Sequence, residues 1–272
     1  MEVIIHRVEL RVPAGSTAVL VKNLYLSCDP WMHGRMSKHN VGATVPARDF
    51  VIGEVGIIFG QPFIGQLKIC RSHITTVPYN SHPGMTGLTA YAGFMEVGRP
   101  KRGDSVFISA ASGAVWQVAG KLAEIAGCYV VGSAGSDEKV CFLKTKFGFN
   151  DAFNYKLETD PAAALKRCLP DGINIYFDNV GGAMLDASLL HMRHGGRVAV
   201  CGMILQYNLQ EPDGLRNMFC IIPKAVRVEG FNVGGYFHMY SRFEEEMVGY
   251  IMEGKVTIVR TSLRGLRVRR RL

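Results

Sequence analysis

A short run of small residues follows an apolar stretch that begins at Asp104. The run consists of Ala110, Ala111, Ser112, Gly113, Ala114 and Val115. An amphipathic stretch comes next, so the order predicts a strand, a tight turn and a helix. Small side chains let the backbone approach a pyrophosphate closely, and the first amides of a helix attract its negative charge. The segment therefore predicts a dinucleotide-binding turn, with an ordinary strand-to-helix turn as the alternative.

Trp116 stands where this pattern normally has its third small residue. A glycine there allows tight packing between helix and strand and leaves room for the dinucleotide. An indole must either turn outward or obstruct the site, and overpacking typically costs about 1–3 kcal/mol. We therefore expect that replacing Trp116 with glycine tightens dinucleotide binding.

The end of the next strand, within residues 132–136, indicates which dinucleotide is bound. An acidic residue at such a strand end usually binds the ribose hydroxyls of NAD, and none stands at the tip. Lys139 follows shortly afterwards, and a cation there favours the 2′-phosphate of NADP. However, Asp137 and Glu138 stand beside Lys139 and weaken this charge argument, so Lys139 is equally compatible with a solvated helix face. The spacing alone leaves the two interpretations open.

Composition argues against several other classes of protein. The seven cysteines are widely spaced without a C-x-x-C pair, which is typical of reduced thiols in a cytoplasmic protein rather than of disulfides or a zinc site. No apolar stretch reaches the ~18 residues of a membrane helix. The net charge is +8, but six arginines lie within residues 260–271, so the remainder carries only +2 (8 − 6). We interpret these arginines as a frayed, basic end of the chain, and we predict neither nucleic-acid nor membrane partners.

Apolar and amphipathic stretches alternate from Asp104 onward. The predicted strands are 104–110, 129–133, 152–155, 173–179, 197–202 and 227–233, and the predicted helices are 114–126, 137–147, 161–168, 184–192 and 239–252. This alternation predicts an α/β fold, with a Rossmann-type doubly wound parallel sheet over residues 96–256. Residues 1–95 are interpreted as a mostly β lobe, and residues 257–272 as a divergent arginine-rich tail.

Seven stretches together resemble one family. They are 23–30 (NLYLSCDP), 84–93 (GMTGLTAYAG), 109–115 (SAASGAV), 127–135 (GCYVVGSAG), 151–155 (DAFNY), 175–182 (IYFDNVGG) and 197–203 (RVAVCGM). The family is the plant NADPH-dependent 2-alkenal reductases, zinc-independent members of the medium-chain dehydrogenase/reductase superfamily. The likeness is nearly continuous from about Pro83 to Val256.

The resemblance implies a GroES-like β lobe beside the Rossmann lobe, a homodimer, NADPH as cofactor and no metal. Compared with the family, the middle of the β lobe looks shortened, and a C-terminal segment that returns to this lobe looks absent. A family tyrosine at the substrate pocket is replaced by Trp31, which keeps the bulk and loses the hydroxyl.

Individual roles carry over by position. Ala110 to Val115 would hold the pyrophosphate. Gly135, Lys139 and Tyr155 would bind the adenosine 2′-phosphate end, which decides the open interpretation of Lys139. Thr89, Ala90 and Tyr91 are further candidates for cofactor contact. The residues that would line the nicotinamide are Asn179, Cys201, Phe231, Asn232 and Val233.

Tyr207 would sit at the carbonyl of an α,β-unsaturated aldehyde or ketone, with Trp31 also in the substrate site. Hydride addition to the β-carbon develops negative charge on the carbonyl oxygen, and a phenol hydrogen-bonded there stabilises it. A surface-loop tyrosine is the alternative. For the whole chain, the alternatives to an alkenal reductase are a noncatalytic NADPH-binding protein and a quinone reductase of the same superfamily.

Overall fold

The computed structural model describes residues 85–207, 209, 211 and 213–256. Six parallel strands form one sheet in the order β3-β2-β1-β4-β5-β6. The strands are β1 (Ser105–Ile108), β2 (Tyr129–Ala134), β3 (Asp151–Asn154), β4 (Ile173–Asp178), β5 (Met192–Val200) and β6 (Arg227–Gly230). This order and direction are those of the Rossmann fold, which confirms the predicted doubly wound α/β class.

The central strands are apolar on both faces. Val106, Phe107 and Ile108 of β1 are all fully buried, and so are Tyr176 and Phe177 of β4. Strands of this kind are typical of a parallel sheet that helices cover on both sides.

Helices connect the strands. They are α1 (Met85–Tyr91), α2 (Ala114–Ile125), α3 (Asp137–Lys146), α4 (Pro161–Cys168), α5 (Gly182–His191), α6 (Ile221–Lys224) and α7 (Tyr240–Met252). Ser136 accepts a hydrogen bond from the Lys139 amide at the start of α3, and Asp160 does the same for Ala162 in α4. Such caps satisfy amides that have no partner within the helix.

The helices pack into two separate hydrophobic cores. One core joins Leu88 of α1, Leu122 of α2 and Phe243 of α7. The other joins Leu165 of α4 and Leu185 of α5. Within the described part of the chain, no helix is both long and apolar enough to span a membrane.

Some predicted element assignments differ from the structure. Residues 85–98, predicted to belong to or border a β lobe, are helical: α1 continues into a π-helical segment, Ala92–Gly98. The predicted domain boundary at 95/96 falls within that segment, and the division into two lobes stays a prediction. Strand β5 begins at Met192, five positions before the predicted start. Pairing with β4 explains this, because Met192 lies opposite Ile173, and pairing between distant segments leaves no local periodicity.

Candidate functional site

The candidate cofactor residues of the Rossmann lobe all follow strand ends. Ala110 to Val115 lie after β1, Gly135 after β2, Tyr155 after β3, Asn179 after β4, Cys201 after β5 and Phe231 to Val233 after β6. In a parallel sheet, these carboxyl ends share one edge. Nucleotides bind in the crevice at this edge of doubly wound sheets. The structure therefore gathers residues that are spread over more than a hundred positions of sequence.

The turn between β1 and α2 is held in a defined shape by its backbone. Ala110 has a φ of +50°, which is the left-handed region that a glycine adopts with less strain. The Ala111 amide donates to the Ser133 carbonyl at 2.8 Å, which ties the turn to β2. On the far side, Gln117 Nε2 donates to the Ser112 carbonyl at 2.8 Å.

The start of α2 suits an anion. Gly113 is its N-cap residue and supplies no side-chain hydrogen bond, and the first turn holds no acidic residue. The first amides of a helix lack intrahelical acceptors and carry the positive end of the helix dipole. A pyrophosphate would provide the missing acceptors, so this turn fits the phosphates of a dinucleotide.

Trp116 does not turn outward. Its side chain is only 6% exposed, and its ring centroid lies 5.5 Å from that of Phe177. Its Cδ1 and Nε1 each lie 2.9 Å from the position that a Cβ on Gly113 would take. The pyrrole edge of the indole therefore borders the turn between β1 and α2.

The predicted adenosine end is a cluster of polar residues around Gly135. The Tyr155 hydroxyl lies 3.1 Å, and the Lys156 Cε 3.3 Å, from the position of a Cβ on Gly135. The Tyr155 amide donates to the Ala134 carbonyl at 3.1 Å. Lys139 is exposed on the first turn of α3. Sequence reasoning missed Lys156, although a cation directly after Tyr155 was the available signal.

Asp178, at the end of β4, organises the middle of the edge. Its Oδ1 accepts hydrogen bonds from Ser109 Oγ (3.2 Å), Tyr176 Oη (2.5 Å) and the Val180 amide (2.9 Å), and the Gly181 amide donates to both carboxylate oxygens. Burial raises the pKa of this carboxyl, although the donors oppose that effect. Sequence reasoning assigned no role to Asp178; an acid that ends an apolar strand was the signal.

Tyr207 lies over the ends of β4 and β5. Its hydroxyl accepts a hydrogen bond from the Met203 amide at 3.2 Å. The Asn179 Oδ1 and the Tyr207 Oη both lie close to Gly202. A Cβ added to Gly202 would overlap the Asn179 Oδ1 and lie 2.9 Å from the Tyr207 Oη. Tyr207 is 46% exposed, and its hydroxyl proton has no acceptor within the described residues.

The other residues predicted to line the nicotinamide differ in what they can do. Burial raises the pKa of the Cys201 thiol to about 12, so the thiol stays protonated at neutral pH. The Phe231 ring contacts those of Phe177 and Tyr236, each at 6.1 Å between centroids. Asn232 uses its side-chain oxygen to accept from the Gly234 amide at 2.8 Å.

The candidates in α1 are turned into the fold. Tyr91 and Ala90 are fully buried, and Tyr91 contacts Phe243 of α7 at 5.5 Å between centroids. The Thr89 hydroxyl donates to the Met85 carbonyl.

Trp31, the predicted substrate-site residue, lies outside the described residues. Among residues 85–256 as described, no three His, Cys, Asp or Glu side chains come together as metal ligands would.

The sequence is similar to proteins of known activity. The family model described as "Zinc-binding dehydrogenase" matches residues 114–249. The "2-alkenal reductase (NADP(+)-dependent)" of Nicotiana tabacum is 47% identical, over 98% of this chain and 85% of that protein. The "(+)-pulegone reductase" of Mentha piperita is 44% identical, over 94% of this chain and 84% of that protein.

A solved structure shares the fold. The crystal structure of CurA in complex with NADPH from Vibrio vulnificus matches with a TM-score of 0.61 and 36% identity, over 65% of this chain and 54% of that chain. The extent of the match to the tobacco enzyme, together with the strand order, decides the family. The chain belongs to the NADP-dependent 2-alkenal reductases of the medium-chain dehydrogenase/reductase superfamily.

Proposed function

We propose that this chain reduces the α,β carbon–carbon double bond of 2-alkenals and enones with NADPH. The observation that carries the proposal is the Tyr207 hydroxyl, exposed beside Asn179 and Gly202 at the carboxyl edge of the sheet. The names of the tobacco and mint relatives support the same reaction.

The residues divide the work by position. The turn from Ala110 to Val115 holds the pyrophosphate, and Gly135, Lys139 and Tyr155 hold the adenosine 2′-phosphate end. Asn179, Cys201 and the Phe231–Val233 segment line the nicotinamide. Bound NADPH supplies the hydride, and the protein supplies orientation and electrostatics.

Tyr207 stabilises the negative charge that the reaction develops on the substrate carbonyl oxygen. Its hydroxyl oxygen already accepts from the Met203 amide, which polarises the phenol and leaves its proton free to donate. A hydrogen bond from this proton to the substrate carbonyl oxygen strengthens as negative charge accumulates there. The protein thus stabilises the transition state more than the bound substrate.

Further features complete the proposal. The GroES-like lobe lies within residues 1–95 and precedes α1, and Trp31 is a substrate-binding residue. The protein acts in the cytoplasm as a homodimer, without nucleic-acid or membrane partners. Light scattering on the purified protein tests the dimer directly.

Oxidation of NADPH by the purified protein tests the reaction, with a short enal, an aromatic enone and a quinone as separate substrates. We expect turnover with the enal or the enone. Turnover with the quinone alone would favour the quinone reductase alternative. NADPH binding without turnover of any of the three would favour a noncatalytic binding protein.

A further inference from the structure

Within the described part of the chain, the indole N–H of Trp116 has no hydrogen-bond partner, although most of the side chain is buried. The side chain is 94% buried, as its exposure is 6%. Its Nε1 donates to no acceptor within the described residues. The fold completely encloses two other side-chain atoms without a partner, Arg197 Nε and Tyr91 Oη, but it does not completely enclose Trp116 Nε1. Buried donors normally have a partner, because losing hydration without one costs free energy. The indole therefore presents an open donor at a defined place.

That place is the mouth of the phosphate-binding turn. Nε1 lies 2.9 Å from the position of a Cβ on Gly113, the residue that begins α2. The start of α2 has no side-chain cap and no acid in its first turn. Contact with Phe177 holds the ring there. Among residues 85–256 as described, an indole donor without a partner thus stands beside first-turn amides without intrahelical acceptors, and a phosphate oxygen could accept from both.

We propose that Trp116 is a binding residue for the dinucleotide, with its Nε1–H donating to an oxygen of the pyrophosphate. The inference rests on the proposed use of NADPH. In place of the small residue expected here, the indole adds a neutral donor that works together with the amides of α2, so Trp116→Gly should weaken dinucleotide binding, contrary to the expectation from sequence alone. Trp116→Phe keeps an aromatic ring at this position and removes the N–H together with the pyrrole part of the indole.

The test combines affinity and spectroscopy on the full chain. A hydrogen bond to a charged group contributes enough that we expect Trp116→Phe to weaken NADPH binding by roughly tenfold or more. The chain has two tryptophans, so a heteronuclear correlation spectrum shows two indole N–H peaks, and the Phe variant identifies that of Trp116. We expect this peak to move downfield with NADPH and with inorganic pyrophosphate, but not with sodium chloride at matched ionic strength. Circular dichroism of the variant checks that it is folded.

The outcomes separate this inference from the proposed function. A downfield shift with pyrophosphate or NADPH in a protein that reduces no enal keeps the role of Trp116 and removes the reductase. Full affinity for NADPH in Trp116→Phe, together with a Trp116 peak that does not move in the unmodified protein, overturns the inference and leaves the reductase intact. Tighter binding in both Trp116→Phe and Trp116→Gly overturns it as well, because the indole would then obstruct the site. Binding of neither probe overturns both ideas.

Discussion

At the residue scale, the Tyr207 hydroxyl is the group on which turnover should depend. We expect Tyr207→Phe to lower kcat for enals by roughly ten- to a hundredfold, because one donor to the developing oxyanion is lost. The Kd for NADPH should stay nearly unchanged, since the aromatic ring remains. Steady-state kinetics and a fluorescence titration measure the two quantities.

Tyr129→Phe is the matched control for this substitution. Tyr129 is exposed and begins β2, at the opposite edge of the sheet, so kcat should not change. If Tyr207→Phe kept the full kcat, the tyrosine would be an ordinary loop residue and another donor would have to stabilise the oxyanion.

The choice between NADPH and NADH should also depend on a single side chain, that of Lys139. We expect Lys139→Ala to weaken NADPH binding by roughly tenfold, about 1.4 kcal/mol, because a charge-assisted bond to the 2′-phosphate is removed. NADH lacks that phosphate, so its Kd should not change. Lys146→Ala is the control, since Lys146 is exposed on the last turn of the same helix. Equal affinity of the unmodified protein for NADPH and NADH would contradict this prediction.

At the element scale, Asp178 joins the ends of β4 and β1 to the start of α5. In the unmodified protein, the Gly181 amide donates to Asp178 Oδ2 at 3.2 Å. In Asp178→Asn, the remaining oxygen can still accept the bonds made to Oδ1, but an NH2 group replaces Oδ2 and faces the Gly181 N–H. The amide then brings two N–H donors into a buried place, where a protonated carboxyl brings only one O–H and a carboxylate none. We expect a loss of about 1–3 kcal/mol in the free energy of unfolding at neutral pH, measured by urea denaturation, with the exposed Asp171→Asn as an unaffected control.

The same pair of variants has a defined pH dependence. Burial raises the pKa of Asp178 in the folded protein above its unfolded value, so folding favours the protonated form. The contribution of Asp178 is therefore fully present below about pH 4 and declines as the pH rises through the folded pKa. The stability advantage of the unmodified protein over Asp178→Asn should shrink over that range. An advantage that grew with pH would show that the donors, rather than burial, control this carboxyl.

At the scale of the whole molecule, we expect a protein that needs no zinc, although the matching family model carries the name of zinc-binding dehydrogenases. The reason lies in the sequence, whose seven cysteines are scattered without metal-ligand spacing. Elemental analysis should find less than stoichiometric zinc, and dialysis against a chelator should leave turnover unchanged. One bound zinc per chain would overturn the expectation.

Much of this protein is determined by local sequence. The alternation of apolar and amphipathic stretches predicts the strands and helices of the Rossmann lobe, because burial on both faces of a parallel sheet requires it. The small residues before α2 predict the phosphate-binding turn, because no large side chain allows so close an approach. The motifs around Tyr155 and Asn179 indicate the family through their residue types and spacing alone.

Only the tertiary structure decided what meets at the site. The partners of Asp178 include Ser109, which is distant in sequence but adjacent in the sheet, and the early start of β5 depends on its pairing with β4. Lys156 beside Gly135 and the Tyr207 hydroxyl beside Asn179 are likewise contacts across strand ends. The orientation of Trp116 depends on the space between α2 and Phe177. Such contacts arise from packing between distant segments, and local periodicity carries no record of them.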